Sequence, residues 1–531
     1  MSDGISPGRR AWLIAGGVAA IAGGLALAMF GTAADDNCKA QDAAVRELVD
    51  RAARDRITAR VDETSDPLTI ARWEFVERQL DARAQQWVAA NLALCRQGES
   101  VGPHRCLDAQ RAEWGVLMDT LNNADAAGFA AVTDALASQR PPATCLGAKD
   151  EHPRAPNTEP LWAALAEARA HERLGHSKQA LEQIDAVHRD ARANGTRSLE
   201  AAALTRRGAL LAALGRHPEA RAMLEQGYRL AVEVGDDATA AEAAAGLVAR
   251  LTTDTPEAQA KQVIGDAEAA AARVDAGAEG RLANHVGTYH YRRHDLSAAQ
   301  KAFVLALAKL QSNGDCGVDC ADALSNLALV ARRAGQDDEA HALQLRALET
   351  QTEVFGPGHP RLAVAHIALG SDAFLDGDLA KAKSHFRSAL DVTRESDEHY
   401  NSQAVALAWI ARVHWRTGDL DVAHASGKEA LRLAESGIQD AEALGGALVM
   451  TARSDIEDGR LESAATRLMR VLSLYPERDT SRPRIEAIIR LVEVTAHQGD
   501  LQARAQWIAE FDALPRSATR HHEADIEPFR R

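Results

Sequence analysis

The sequence predicts an all-α protein with a transmembrane helix at its N-terminus, a small disulfide-bearing helical bundle, and an α-solenoid of about nine helical hairpins. The composition indicates the class, because hydrophobic residues make up 46% of the 531 residues but aromatic residues only 4%. Alanine, the best helix former, fills the difference, whereas β-sandwiches need β-branched and aromatic residues. An apolar run near the N-terminus predicts the membrane helix, and a motif repeated about every 41 residues predicts the solenoid.

The net charge of −15 and the charged fraction of 26% restrict the functions that the chain can have. A nucleic-acid-binding protein needs a basic face for the phosphates, so this balance argues against that class. An ordinary charged fraction also argues against wholesale disorder. We therefore expect a folded protein whose partner is not a nucleic acid.

Residues 11–30 form an apolar run with no charged side chain. A helix of this length rises about 30 Å, which is the thickness of the hydrocarbon core of a bilayer. Arg9 and Arg10 precede the run, so the positive-inside rule keeps residues 1–10 in the cytoplasm and places residues 36–531 outside it. The sequence thus predicts a single-pass protein of the cytoplasmic membrane. The alternative is a signal peptide cleaved after the small residues that follow the run, which would give a secreted protein.

Residues 36–138 are predicted to form a bundle of about four helices. Large apolar residues recur every seven positions along two of these helices: Trp73, Leu80, Trp87 and Leu94 on one, and Leu107, Trp114 and Leu121 on the next. Stripes of this kind mark the buried face of a helix. We therefore expect the tryptophans to fill the core of the bundle.

Four cysteines lie near the ends of these helices: Cys38, Cys95, Cys106 and Cys145. In an up-and-down bundle the four ends meet at one pole, and the exported topology supplies an oxidising compartment, so two structural disulfides are expected. Three pairings are possible. We favour Cys95 with Cys106, across a helix connection, and Cys38 with Cys145, which ties the ends together. A metal site is the competing interpretation, but this region has no CxxC pair.

Residues 139–158 are predicted to be a proline-rich linker, residues 159–514 the repeat array, and residues 515–531 a disordered tail. In seven units a glycine marks the turn between two helices: Gly175, Gly215, Gly335, Gly377, Gly418, Gly459 and Gly499. Two degenerate units have Thr253 and His294 in this place, so that consecutive turns are 38 to 42 residues apart. Five positions after the turn residue stands an alanine: Ala180, Ala220, Ala258, Ala299, Ala340, Ala382, Ala423 and Ala464. Glycine adopts a positive φ at little cost and alanine allows close helix contact, as a tight hairpin requires.

These units resemble the tetratricopeptide repeat. One unit shows the pattern of small residue, turn, alanine and large apolar residue most clearly: Gly370, Gly377, Ala382, Phe386 and Ala389. The usual repeat of about 34 residues is stretched to about 41 here. Residues 354–363 (VFGPGHPRLA) resemble the inter-repeat segment of the kinesin-light-chain-like subclass. The resemblance implies a right-handed superhelix whose concave groove binds a peptide or a partner protein.

The motifs predict a non-catalytic protein with no cofactor and no metal. The sequence contains no Walker loop, no GxGxxG after a strand and no GxSxG elbow. His171 and His176 are five residues apart, whereas the zinc-protease motif needs two histidines at i and i+4. Cys316 and Cys320 flank a helix start in the fifth unit, where we expect a local disulfide in an exported chain.

The order of elements resembles the non-catalytic half of bacterial transmembrane Ser/Thr protein kinases. The matching parts are Arg9 and Arg10 with residues 11–30, the four cysteines of the bundle region, and the nine repeats. This resemblance implies a membrane-anchored, exported sensor or interaction module that binds a protein or peptide in its repeat groove. Only ten residues precede the apolar run, so the chain contains no kinase residues. The alternative is the C-terminal sensor part of such a kinase, with a catalytic domain encoded upstream. An exported enzyme or lipid-handling protein with an unrecognised site is the third possibility.

Overall fold

A computed structural model of the protein describes residues 51–97, 101–139, 141–147, 158–312, 317–394, 399–436, 440–475 and 479–530. Every regular element within these ranges is a helix, which confirms the all-α class that the alanine-rich composition predicts. The first elements form the bundle: α1 (Arg51–Thr64), α2 (Pro67–Gln97), α3 (Val101–Asn122), α4 (Ala126–Ala137) and a 3-10 turn (Pro142–Gly147).

Three tryptophans lie in the core of the bundle, as their seven-residue spacing predicts. Trp73, Trp87 and Trp114 are each at most 3% exposed. Their indole N–H groups donate hydrogen bonds to Thr58 Oγ1 (2.9 Å), to a backbone carbonyl of α3 (3.1 Å) and to Gln139 Oε1 (3.0 Å), respectively. A buried polar group costs free energy unless it is hydrogen-bonded, so these partners allow the whole side chains to be buried.

The disulfide of the bundle differs from the favoured pairing. The structure joins Cys106 to Cys145, with Cα atoms 5.5 Å apart, so the predicted pairs Cys95–Cys106 and Cys38–Cys145 are wrong. The segment Pro142–Gly147 folds back against α2 and α3, and it buries Cys145 beside the first turns of α3. Cys95 is disulfide-bonded as well, whereas Cys38 lies outside the described residues.

Nine antiparallel helical hairpins follow within the described residues up to 512. Their helices, in pairs, are α5 (Glu159–Arg173) and α6 (Ser177–Ala193), α7 (Arg197–Ala213) and α8 (His217–Val234), α9 (Asp237–Ala249) and α10 (Glu257–Ala271), α11 (Ala276–Arg292) and α12 (Leu296–Ser312), α13 (Val318–Arg333) and α14 (Asp337–Phe355), α15 (Leu362–Leu375) and α16 (Leu379–Thr393), α17 (Tyr400–Thr417) and α18 (Leu420–Ser436), α19 (Ala441–Glu457) and α20 (Leu461–Ser473), and α21 (Arg482–Gln498) and α22 (Leu501–Asp512). The seven glycines of the repeat lie at the turns with φ between +72° and +84°. A side chain disfavours this left-handed region, which explains the recurrence of glycine.

The alanine that follows each turn is buried between the two helices of its hairpin. Seven of these alanines are at most 2% exposed: Ala180, Ala220, Ala299, Ala340, Ala382, Ala423 and Ala464. In the third hairpin the prediction is wrong by two residues, because Ala258 is exposed and Ala260 occupies the buried position. The turn is longer there, since α10 begins only after Pro256.

The hairpins are arranged in two layers. The first helices of the hairpins are the odd-numbered helices from α5 to α21. Consecutive first helices pack against one another, except that α13 and α15 are joined mainly by the ion pair of Arg332 with Asp372, and the second helices flank this layer. We call the surface formed by the first helices the inner face. Because every hairpin contributes one helix to it, the inner face is continuous along the array.

Arg72, on α2, fastens the bundle to the loop between the fifth and sixth hairpins. Its buried guanidinium donates hydrogen bonds to the carbonyl oxygens of Gly358 and Val392, both at 2.8 Å, and to a third carbonyl in α4. In the same loop, His359 Nε2 donates to the carbonyl oxygen of Ala130 at 3.0 Å. We call this group of contacts the clasp. It links parts of the chain that are about 300 residues apart in sequence.

Two glycines of the same loop allow the bundle to approach its backbone. A Cβ atom on Gly356 would lie 2.8 Å from Cγ of Phe75, and one on Gly358 would lie 2.6 Å from Cδ1 of Leu68. Both distances are shorter than van der Waals contact allows. The glycines in the segment VFGPGHPRLA therefore form the surface on which the bundle packs.

The C-terminal segment is ordered, so the prediction of a disordered tail is wrong. It forms α23 (Arg516–Thr519), α24 (Glu523–Ile526) and a 3-10 turn (Glu527–Phe529). Ile526 is fully buried against Ile485, Ile489 and Phe511 of the last hairpin. Among the residues that the structure describes, no further hairpin follows the ninth, and the C-terminal segment covers the apolar side of the ninth hairpin.

The predicted fold class also included a transmembrane helix, and this part needs a correction. Within the part of the chain that the structure describes, no helix combines the length and the apolar character needed to cross a bilayer. The longest of these helices, α2 with 31 residues, carries charged side chains along its length. The span predicted for residues 11–30 lies outside the described residues. The observed fold is thus a helical bundle followed by a helical-repeat solenoid.

Candidate functional site

Charged side chains join the first helices of neighbouring hairpins across the inner face. Arg206, on α7, contacts Glu172 of α5 at 3.4 Å and Glu242 of α9 at 2.5 Å. One guanidinium therefore connects three consecutive hairpins. Because an arginine side chain presents several N–H donors in a plane, it can hold two carboxylates at once.

A longer connection links the seventh hairpin to the ninth. Arg412 Nη2, on α17, lies 2.6 Å from Glu486 Oε2 on α21. The guanidinium crosses α19 beside Gly446, where a Cβ atom would lie 3.9 Å from both Nη atoms. Burial disfavours ionisation of Glu486, but the charges of Arg412 and Arg482 outweigh it and lower the pKa of this carboxyl to about 2. The pair is therefore ionised at neutral pH.

Arginines also stack on aromatic rings of the preceding hairpin. The aromatic residue stands three positions before the turn residue in each case: Tyr291 before His294, Phe374 before Gly377, and Trp415 before Gly418. The guanidinium carbons lie 4.5 Å, 4.9 Å and 3.2 Å from the ring centroids, in the pairs Arg333–Tyr291, Arg416–Phe374 and Arg453–Trp415. Cation–π contacts of this kind keep the arginines extended along the inner face.

Three arginines near the turns of the third, fourth and fifth hairpins differ from the paired ones. Within the described ranges, Arg250, Arg292 and Arg333 have no carboxylate oxygen within the 4.0 Å of an ion pair. Burial and the charge of Arg292 lower the pKa of Arg250. Burial and the neighbouring arginines, Arg250 first among them, also lower the pKa of His285. We call Arg250, Arg292 and Arg333 the cationic patch.

An open cavity of about 440 Å³ lies beside the cationic patch. It is lined by Leu251, Thr252, Thr253, Tyr291, Arg292, His294, Arg333 and Asp479. All but one of these residues come from the turns of the third to fifth hairpins. Asp479 comes from the loop before α21, so the cavity lies where the ninth hairpin approaches these turns.

The candidate residues named from the sequence lie in turns, in helix contacts or in disulfides. The repeat glycines lie in the turns and the repeat alanines inside the hairpins, away from the inner face. Cys320 is buried and disulfide-bonded, and Cys316 lies outside the described residues. His171 and His176 have Nδ1 atoms 3.4 Å apart, and the described residues contain no group of three or more His, Cys, Asp or Glu side chains that could hold a metal ion.

The inner-face arginines were missed in the sequence. Their signal is the repeat register, because Arg292, Arg333 and Arg416 each stand two positions before a turn residue. An alignment of the nine units at the turns reveals this row, together with the aromatic row one position earlier.

Part of the array matches a known family model. Residues 319–395 and 369–436 match the model of the tetratricopeptide repeat. No curated protein sequence matches the chain. The matches do not show the resemblance to the sensor half of Ser/Thr kinases.

Solved structures of other proteins are similar to parts of the chain. BtubC (BKLC) from P. vanneervenii is 19% identical, with 40% of this chain and 87% of that chain covered and a TM-score of 0.37. A Rap protein complexed with Competence and Sporulation Factor is 16% identical, with coverages of 63% and 96% and a TM-score of 0.42. NprR in complex with its cognate peptide NprX is 11% identical, with coverages of 58% and 93% and a TM-score of 0.40. The described part of the chain is thus an all-helical repeat array, of which residues 319–436 match the tetratricopeptide-repeat model.

Proposed function

We propose that the chain is a non-catalytic binding module that holds an extended protein or peptide segment against its inner face. The observation that supports this proposal is a row of three arginine–aromatic pairs, in which the ring stands three positions before the turn residue of the fourth, sixth or seventh hairpin. An extended segment contacts such a row one hairpin after another, as in other repeat arrays.

The chemistry of the inner face supports binding over catalysis. The groups gathered there are mainly guanidinium groups, which stay protonated at neutral pH and donate hydrogen bonds. Guanidinium groups bind carboxylates and stack on aromatic rings and peptide planes. A peptide supplies carboxylates as well as planar groups. The ion pairs of Arg206 and Arg412 stabilise the array itself and so keep this surface in place.

We also propose that the chain works in an oxidising compartment outside the cytoplasm. The disulfide between Cys106 and Cys145 supports this proposal, because such bonds persist where thiols are not kept reduced. A role as the sensor of a signalling protein is the finer proposal, and it rests on the order of elements in the sequence. Sequencing of the coding DNA upstream of Met1 separates this role from the alternative: an in-frame kinase domain would make the chain the C-terminal sensor part of a kinase, and a stop codon directly before Met1 would exclude that alternative.

A peptide-display experiment with the purified full chain tests the binding function. We expect peptides selected on the native chain to bind at least tenfold more weakly to the variant Arg416→Gln/Arg453→Gln, which loses two stacked cations. The matched control is Arg346→Gln/Arg387→Gln, which removes two exposed arginines from the second helices α14 and α16. Circular dichroism verifies that both variants are folded. Failure to select any peptide, or equal loss in the control, would contradict the proposal.

A further inference from the structure

We propose that the cavity at the turns of the third to fifth hairpins is a subsite for an anionic group of an acidic peptide. The proposal rests on the proposed function and specifies the chemistry of the ligand. The anionic group is a carboxylate of Asp or Glu or the phosphate of a phosphorylated residue, because both present oxygens that a guanidinium binds in the same way.

The first argument is the position of the cations. Arg292 and Arg333 occupy the same register in consecutive hairpins, two residues before His294 and Gly335, and both line the cavity. The ring of Tyr291 lies under the guanidinium of Arg333 at 4.5 Å and supports it from one side. Two guanidinium groups therefore border one open space, from two hairpins.

The second argument is that these cations lack carboxylate partners in an acidic protein. The chain has a net charge of −15, and arginines elsewhere on the inner face, such as Arg206 and Arg412, contact carboxylates. Among the residues that the structure describes, Arg250, Arg292 and Arg333 have none within 4.0 Å. Neighbouring like charges repel each other, so a bound anion would relieve a repulsion that the free protein maintains.

The third argument concerns the remaining walls of the cavity. Thr252 and Thr253 add hydroxyl groups to the arginines, and hydroxyl groups donate hydrogen bonds to anionic oxygens. Asp479 is the one carboxylate of the lining, and it forms no ion pair with the arginines. Its negative charge opposes anion binding, so Asp479 lowers the affinity of the subsite for anions. Its backbone loop belongs to the ninth hairpin, and occupation of the cavity therefore brings two distant parts of the array into contact with one ligand.

Fluorescence anisotropy with labelled peptides tests this assignment on the full chain. The probes are a Glu-rich peptide, the same peptide with Gln in place of Glu, and a phosphoserine version of the Gln peptide. We expect the two anionic peptides to bind about tenfold more tightly than the Gln peptide, and this difference to shrink as salt is added. Arg292→Gln and Arg333→Gln should each remove about tenfold of the affinity for the anionic peptides. Asp479→Asn should increase that affinity, and Arg346→Gln on α14 should leave it unchanged.

The two anionic peptides identify the source of the charge. If only the phosphoserine peptide depends on Arg292 and Arg333, and inorganic phosphate competes with it, the subsite takes phosphate; if only the Glu-rich peptide does, it takes carboxylate. Equal binding of all three peptides, or no effect of Arg292→Gln and Arg333→Gln, overturns the subsite. Peptide binding that is still weakened by Arg416→Gln/Arg453→Gln would in that case leave the binding function of the inner face intact.

Discussion

Single residues of the inner layer show how closely the helices pack. Gly370, on α15, has no room for a side chain, because a Cβ atom there would lie 2.6 Å from Cε1 of Phe386. The Phe386 ring is fully buried and stacked on Trp409, with ring centroids 5.4 Å apart, so it has no space into which to move. Gly446, on α19, is different, since the nearest atom to its Cβ position is 3.6 Å away, an ordinary contact.

This difference predicts opposite effects for the same substitution. Gly370→Ala should lower the free energy of unfolding by about 1–3 kcal/mol through overpacking. Gly446→Ala should raise it by up to about 1 kcal/mol, because alanine has the higher helix propensity. Hydrogen exchange of the amides in α15 and α19 measures the two effects locally. Equal changes in the free energy of unfolding at the two sites would show that local packing does not determine the effect of the substitution.

At the scale of elements, the C-terminal segment covers the apolar side of the last hairpin. Ile526 of α24 is fully buried against α21 and α22. Arg530, at the end of the segment, contacts Asp512 at 2.6 Å. These contacts hold the segment on the last hairpin and keep its apolar side from water.

Truncation of this isoleucine tests the covering role. We expect Ile526→Ala to lower the free energy of unfolding of the last hairpin by about 2–4 kcal/mol, the usual cost of a buried isoleucine. Leu501→Ala is the control, since Leu501 is 67% exposed on α22 and should change stability little. Hydrogen exchange in α21 and α22 is the measurement. An equal response to the two substitutions would mean that the segment does not stabilise the hairpin.

The elements also show how far the sequence carries the prediction. The turn glycines and their alanines are predictable because each acts within one hairpin, and the shift from Ala258 to Ala260 comes from a longer turn before Pro256. The clasp is not predictable, because two of the three partners of Arg72 are backbone carbonyls about 300 residues away, and every residue has a backbone carbonyl. The candidate site lies between these cases, since its arginines follow the repeat register but their lack of carboxylate partners is a property of the folded array.

At the scale of the whole molecule, the clasp ties the bundle to the middle of the array through a neutral histidine. His359 donates from Nε2 to Ala130 and accepts at Nδ1 from the backbone N–H of Arg361, at 3.2 Å. Burial, together with the charges of Arg361 and Arg72, lowers the pKa of His359 to about 3. Asp134 lies 3.6 Å from Nε2 and is the nearby carboxylate. Protonation of the imidazole therefore opposes the folded clasp.

This low pKa predicts that acid weakens the joint between bundle and array. The unfolded chain binds a proton at His359 near pH 6.5 but the folded chain does not, so the stabilisation is complete above pH 6.5 and declines as the pH falls toward 3. The loss should reach about 2 kcal/mol at pH 5. His359→Gln keeps a donor for Ala130 and cannot titrate, so its stability should change less between pH 7 and pH 5. Hydrogen exchange of residues 356–361 measures the difference, and parallel pH profiles of the two proteins would contradict the role of His359.

The clasp has a mechanical consequence. A repeat array behaves as a spring when each repeat touches only its neighbours, because small rotations between repeats add up to a change in length. Here the bundle contacts the array at two points. Glu113 Oε2 of the bundle lies 2.5 Å from Arg173 Nη1 of the first hairpin, and Arg72 donates a hydrogen bond to the loop before the sixth hairpin. The part of the array from the first hairpin to the loop after the fifth cannot lengthen or shorten without breaking one of these two contacts. The span of the array is therefore fixed there, and the proposed binding of an extended segment would depend on the length of the segment as well as on its charge.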